Sequence, residues 1–387
     1  MKRLTFVGAL IGLVSVMLVG VAAAEPLAPR QLVAPLNGAA EVPSVETDAV
    51  GMAVITTIPA AGVVCAEVIV SDSDTIVASH IHQGAAGTNG GVVVSLGAFE
   101  THNAVCVEVD PRVAGHIGAN PSAFYVNVHT EAFPGGEVRG QLRVPRPGQF
   151  YSLGATLTGA NEVPAVESDG IGFANVVIHR QTGIVCSVVV ADDIEPAFAS
   201  HVHAGAAGEN GPAVISLGAV DGSAFACQVV DNAVINSIID PPSFEAFYVN
   251  VHTDAYPGGE LRGQLADVSE RDNAIALLTG GAEVPPVDSA GVGLGAVFVD
   301  HDAGALCWSL IASGIGEATG AHIHEAPVGE NGGVVVFFDP FDGFDAGCQY
   351  LDAETLEHLT ADWSGFYINI HTEAVPSGEL RGQLTAL

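Results

Sequence analysis

Beyond Lys2 the chain of 387 residues contains no lysine, and arginine is scarce beside 44 acidic residues. The formal net charge is −33; past position 24, where nine Arg remain, it is −35. Such a surface repels nucleic acid and anionic membrane, which excludes both as partners. It suits solubility in salty surroundings, where self-repulsion is screened, and it attracts cations loosely. Acidic disorder is excluded too, because 49% of the residues are hydrophobic.

Long apolar runs are almost absent. One extends from Leu4 to Val21 behind Lys2 and Arg3, and "VAAAE" follows it. This predicts a secretory signal peptide over 1–24, cleaved after Ala24. An uncleaved anchor fits less well, since the apolar core is barely long enough to span. Every later run is broken by Gly, Pro or charge. No membrane span is expected after cleavage, and the mature protein is expected to be secreted, extracellular or in the cell envelope.

The motifs of several enzyme classes are missing: no G-x-S-x-G, H-E-x-x-H or P-loop occurs. Asp72 with Asp74, and Asp192 with Asp193, lack the closing Glu of an EF-hand and read as acidic turns. Sustained helical periodicity is also missing, although "DAETLEHL" (352–359) fits a turn or two. No C-x-x-C supports a thiolate metal site.

What the chain does have is repetition. Cys65 and Cys106, Cys186 and Cys227, and Cys307 and Cys348 are each 41 residues apart. In an exported chain this predicts one disulfide per repeat, worth roughly 4 kcal/mol each in the chain-entropy model. Cys65, Cys186 and Cys307 are spaced by 121, as are His80, His201 and His322. A unit of that size holds its own core and is too long for a solenoid repeat. Three tandem domains follow, over 31–145, 150–267 and 273–387, with linkers at "RVPRPGQ" and "DVSERDN".

Each copy reads as all-β. Short runs rich in Val, Ile, Phe and Tyr alternate with Gly, Pro, Asn and Asp. The first copy offers about eight strands, near 32–36, 51–58, 63–70, 78–82, 92–96, 104–109, 123–130 and 137–143. The expected fold is an antiparallel β-sandwich or flattened barrel.

Strand alternation sorts the polar residues. In "FYVNVHT", Phe124, Val126 and Val128 share the core face, leaving Tyr125, Asn127 and His129 on the other. The strand "GEVRGQL" sets Glu137, Arg139 and Gln141 against Val138, Gly140 and Leu142. If the two pair as a hairpin, His129 lies near Glu137 and Asn127 near Arg139. In "SHIH", Ile81 faces inward and His80 and His82 share the outward face. Two imidazoles on one strand, joined by a third from a neighbour, can bind a metal with one position left open. The candidate sets are His80, His82, His129; His201, His203, His252; and His322, His324, His371. The third histidine follows the first by 49, 51 and 49 residues. Glu137, Glu260 and Glu379 could orient an imidazole from behind, beside Arg139, Arg262 and Arg381. The same histidines would serve as well to hold a loop carbonyl and fix the "GAAGENG" turn, and both alternatives stand. His102, His116, His179, His301 and His358 have no counterparts in the other copies and read as surface residues. The Glu of "EVP" (Glu41, Glu162, Glu283) could make a structural hydrogen bond or a binding contact.

The ordered set "NEVP-x-V", "HVHAGAAGENGP", "YVNVHT" and "PGGELRGQL" resembles the CHRD domain, the module named from chordin, in three tandem copies. The resemblance implies an exported β-sandwich and, for chordin-like animal proteins, extracellular protein binding. A fainter resemblance is to copper–zinc superoxide dismutase, a Greek-key barrel with an intradomain disulfide and a His-Val-His pair. His201, Val202 and His203 read the same way. That family's zinc loop and bridging histidine have no match here, which leaves copper-only binding open. The leading expectation is an extracellular binding or structural module holding one copper, or else zinc, per domain. The partner would be an extracellular protein or surface ligand. The alternative is a redox enzyme of dismutase type, with local arginines offsetting the acidic charge.

Overall fold

The computed structural model describes residues 29–386 except 147, 241–242 and 269–271. The expected signal over 1–24 and part of the second linker lie outside the described residues. In the first domain the strands are β1 (Arg30–Asn37), β2 (Val50–Ile58), β3 (Val63–Ser71), β4 (Ile76–Gln83), β5 (Val92–Gly97), β6 (His102–Glu108), β7 (Phe124–Thr130) and β8 (Val138–Gln141). All eight expected strands are there. They form one antiparallel sheet in the order β5-β4-β7-β8-β1-β2-β3-β6, and the other two domains repeat that order. The sheet curls until its edges nearly meet: Asn103 Nδ2 on β6 donates to Leu96 O on β5 at 2.7 Å. The inside of this near-barrel holds Leu32, Ile55, Val64, Ile81, Val126 and Val128.

Among the described residues three α-helices occur where the sequence suggested one. They are α1 (Pro111–Ala119), α2 (Asn232–Ile239) and α3 (Ala353–Ala361). Asp110, Asp231 and Asp352 cap them by accepting from backbone N–H groups. Each bridges the crossover from the sixth to the seventh strand of its domain and buries one face, Ala114 and Ile117 in α1. Gly115 and Gly118 hide the periodicity of α1. At Gly118 a Cβ would come within 2.7 Å of Thr57 Oγ1, so the helix lies too close to β2 for a side chain.

The disulfides Cys65–Cys106, Cys186–Cys227 and Cys307–Cys348 are formed. Each joins residues directly opposite each other in the ladder. They lie on the outer face of the sheet, and that face is also buried. All nine residues of β2 are buried, which no single two-faced sheet in water would allow. The outer faces of the three domains pack against one another. Met52, Val54 and Ile69 meet Phe150, Val188 and Val190 of the second domain. Ile58 and Val63 meet Leu294 and Ile311 of the third. Ile171 and Phe173 of the second meet Phe298 of the third.

One hydrogen bond repeats around this closed set. Ser71 Oγ in the first domain accepts from Cys227 N in the second at 2.8 Å. Asp192 Oδ2 in the second accepts from Cys348 N in the third at 2.8 Å. Ser313 Oγ in the third accepts from Cys106 N in the first at 3.0 Å. Sequence positions 71, 192 and 313 are equivalent, so the three domains close into a ring with threefold pseudosymmetry. The residue after each makes a left-handed turn: Asp72 at φ 58°, Asp193 at φ 56° and Gly314 at φ 75°. Asp tolerates this conformation better than most residues, which accounts for the acidic turns.

Candidate metal centre

Strands β4 and β7 pair with His80 opposite Asn127, His82 opposite Tyr125 and Ala78 opposite His129. Ile81 between the two histidines is fully buried in the core, so both imidazoles leave on the far face. There they meet His129. Ring centroids lie 5.5 Å apart for His80–His82, 5.1 Å for His80–His129 and 5.8 Å for His82–His129. The second domain repeats this with His201, His203 and His252 at 5.6, 5.2 and 5.7 Å. The third does so with His322, His324 and His371 at 5.5, 5.0 and 6.3 Å. In each set one nitrogen per residue lies within 4.8 Å of the other two.

Hydrogen bonds fix the tautomers of two rings in each set. His82 Nδ1 lies 3.0 Å from Gly90 O, and His129 Nδ1 lies 3.1 Å from Pro134 O. A carbonyl only accepts, so each Nδ1 carries the proton and each Nε2 presents a lone pair. The pairs His203–Gly211, His252–Pro257, His324–Gly332 and His371–Pro376 repeat this at 2.9 to 3.2 Å. The free nitrogens are buried and have no partner: Nδ1 of His80, and Nε2 of His82 and His129. The same atoms of the other two sets are likewise unpartnered. Three imidazole ligands about 2.1 Å from a metal sit about 3.4 Å from one another, so modest rotamer adjustment would bring each set to coordination distance.

The electrostatics favour the ligand form. Burial first, then neighbouring imidazoles, holds His80 below the ordinary histidine value. Burial likewise lowers His129, His201, His252 and His324. His322 is lowered to about 4, first by burial and then by His371 and His324. A neutral imidazole is what a metal binds, so protons compete weakly at these rings near neutral pH.

The loop after β4 is built to hold His82. Gly90 takes part twice: its carbonyl accepts from His82 Nδ1 and its N–H donates to Tyr125 Oη at 3.1 Å. A Cβ on Gly90 would sit 2.6 Å from the carbonyl carbon of Gln83 and nearer still to its oxygen. Only glycine fits, as at Gly211 and Gly332. The Tyr125 ring stacks on His82 with centroids 5.0 Å apart. On its other side the Arg139 guanidinium lies 3.4 Å from the ring centroid. Arg139 also donates to Asn89 Oδ1, Ala85 O and Thr88 O, tying the loop down. Asn89 in turn donates to Val42 O at 2.7 Å. The second domain repeats these contacts through Arg262, Tyr248 and Asn210, and the third through Arg381, Tyr367 and Asn331.

Several expectations need correction. The hairpin register is as expected, with Asn127 opposite Arg139. Yet Glu137 does not orient an imidazole; it accepts from Thr47 Oγ1 at 2.6 Å. Glu260 accepts from Ser168 and Thr253, and Glu379 from Ser289 and Thr372. The Pro134 carbonyl is what orients His129. Arg139, Arg262 and Arg381 are 1–2% exposed and hold loop carbonyls, so they offer no positive surface to an incoming anion. Two histidines assigned to the surface are interior. His179 is 1% exposed and stacks on Phe150 at 4.4 Å. His102 stacks on Phe225 of the second domain at 3.8 Å and lies 3.4 Å from Glu67. Tyr125, Gly90 and Asn89 escaped as parts of the centre, although the G-x-N-G run (87–90, 208–211, 329–332) and the Tyr after the Phe of the seventh strand recur in all three copies.

The model of the CHRD domain family matches residues 32–142, 153–265 and 275–384. Chordin from Xenopus laevis is 29% identical over 154 residues, covering 35% of this chain. The chain spans only 16% of that relative's length. With three family matches covering most of its length, each containing one of the histidine sets, the chain belongs to the CHRD domain family.

Proposed function

We propose that the chain is an exported binding module whose domains, 31–145, 150–267 and 273–387, each hold one metal ion. Copper is the first choice and zinc the second. The ligands would be His80, His82 and His129; His201, His203 and His252; and His322, His324 and His371. The observation that carries this reading is the set of nine buried ring nitrogens, three to a domain, that converge without hydrogen-bond partners. An unpartnered buried polar atom costs about 1–3 kcal/mol, and one ion would satisfy three together. Imidazole suits copper and zinc alike. The ion would supply a Lewis-acidic or redox centre with one open position. In two rings of each set the two roles weighed are compatible, because Nδ1 holds a backbone carbonyl and Nε2 is left for the ion. Export fits the three disulfides. Likeness to chordin supports an extracellular protein or surface ligand as partner.

Metal analysis of protein purified without a histidine tag tests this, and one equivalent per domain is expected. Failure to bind copper or zinc after attempted reconstitution would sink it. His129→Ala should lower the stoichiometry by one while leaving the fold intact.

Copper-dependent dismutation is the second reading, supported by the His-x-His geometry on a disulfide-bearing near-barrel. The strongly acidic surface and the buried arginines count against rapid capture of superoxide anion. Superoxide consumption by the copper-loaded protein no faster than by buffer would remove this reading alone.

A further inference from the structure

A carboxyl group lies buried behind each histidine set. Glu41 is 7% exposed, as are Glu162 and Glu283. Glu41 Oε2 receives a weak hydrogen bond from Asn127 Nδ2 at 3.4 Å, and its Oε1 has no partner. Asn250 donates to Glu162 at 2.9 Å, and Asn369 donates to Glu283. Asn127 is the residue directly opposite His80 in the β4–β7 ladder, so one side chain separates the carboxyl from the histidine face. The gap that admits Glu41 exists because residue 136 is glycine: a Cβ there would lie 2.6 Å from Glu41 Oε1. Gly136 has φ 125°, a conformation open mainly to glycine.

Among the described residues the carboxyl makes no ion pair. Arg139 acts on it electrostatically, but its hydrogen bonds go to Asn89, Ala85 and Thr88. Glu137, beside Gly136 in the hairpin, is bonded to Thr47. The imidazoles of His80, His82 and His129 share this face with Asn127 and Tyr125. Burial pushes Glu41 up to about 7, outweighing Arg139, the Val42 amide and Asn127. Burial raises Glu162 and Glu283 as well.

We propose that Glu41, Glu162 and Glu283 are the charge-compensating groups of the three centres, each giving up its proton when a divalent cation binds the histidines in front of it. In the metal-free site the buried carboxyl then keeps its proton. The occupied site is a carboxylate facing a dication across Asn127. The balance is simple: one metal ion in and one carboxyl proton out to solvent per domain, beyond any protons lost by the ligands. A dication on the histidine side of Asn127 attracts the carboxylate and so favours loss of its proton. The carboxylate is thereby a determinant of affinity and of its pH dependence, without touching the ion.

This inference rests on the metal reading, and the test separates the two. Zinc, which is redox-silent, is titrated calorimetrically into the full chain in buffers of different ionisation enthalpy, which counts released protons. At pH 6 the wild type should release more protons per bound zinc than the variant E41Q/E162Q/E283Q, because burial raises all three carboxyls. At pH 8, above the value of about 7 for Glu41, the difference should be smaller. Equal proton counts at pH 6 with zinc bound to both proteins would overturn this inference and leave the metal reading standing. Absence of zinc and copper binding to the wild type would overturn both. Should the triple variant fail to fold, infrared difference spectra of the wild type decide. Zinc addition at pH 6 should give a negative difference band at the protonated-carboxyl C=O stretch, and the absence of any such loss on zinc binding would refute the assignment.

Discussion

Gly90→Ala isolates the loop clamp in one domain. The new methyl group would overlap the Gln83 carbonyl, with 2.6 Å to its carbon against the 3.0 Å that real Cβ atoms keep. Neither neighbour can rotate away, because the clash is with backbone, so the loop must move. That breaks the bond from His82 Nδ1 to Gly90 O and the bond from Gly90 N to Tyr125 Oη. Two buried hydrogen bonds at about 1 kcal/mol each, plus backbone displacement, give a loss of about 3 kcal/mol confined to the first domain. The free His82 ring would also lose its fixed tautomer, so the first centre should fail. Metal content should fall by one equivalent, and denaturant unfolding should show an earlier transition. Gly91→Ala is the control: a Cβ there meets nothing within 4 Å, and the second copy already carries Pro212 at this position. If Gly90→Ala binds a full complement of metal with wild-type stability, the clamp argument is wrong.

Other outcomes follow from the same contacts. Arg139→Met should cost about 3 kcal/mol or more, read by denaturant unfolding, because it leaves the Ala85 and Thr88 carbonyls without their donor. Burial raises Asp192 to about 6, so its stabilising contribution is present below the ordinary aspartate value and is lost as pH rises through about 6. Asp192→Asn, which can still accept from Cys348 N, should therefore lose less stability than the wild type between pH 5 and pH 8. The gain at pH 8 should be about 1–2 kcal/mol after discounting for partial exposure. Residues 150–267 expressed alone should self-associate, because Val188, Val190, Ile171 and Phe173 lose their cover. A monodisperse, soluble single domain in light scattering would contradict the ring.

The strands were legible because their signals are local. Alternation in "FYVNVHT" and "SHIH" placed every residue of the histidine sets on its correct face, since a strand has only two. What escaped was set by contacts distant in sequence. His102 and His179 looked like surface residues because the aromatic rings that cover them come from other strands, and in His102 from another domain. The one available hint was the apolar character of both faces of β2, where no side was left for water. Helix α1 was hidden by its glycines, of which Gly118 is required by the close approach to Thr57. Glu137 was misassigned because ladder position gives a neighbour but not the rotamer. Its carboxylate turns to Thr47, 90 residues earlier in the chain.

Closure of the ring limits what duplication can do to this chain. The first and third domains touch through Cys106 and Ser313, so the linear array has no free end at which a fourth copy could dock in the same way. A solenoid lengthens by adding units at its caps, but here an added domain would have to break an existing contact or hang outside the ring. Copy number is thus a property of the interface angle and not of the number of times the coding segment was duplicated. Any change that alters that angle, at Ser71, Asp192 or Ser313, bears on how many centres one molecule can carry.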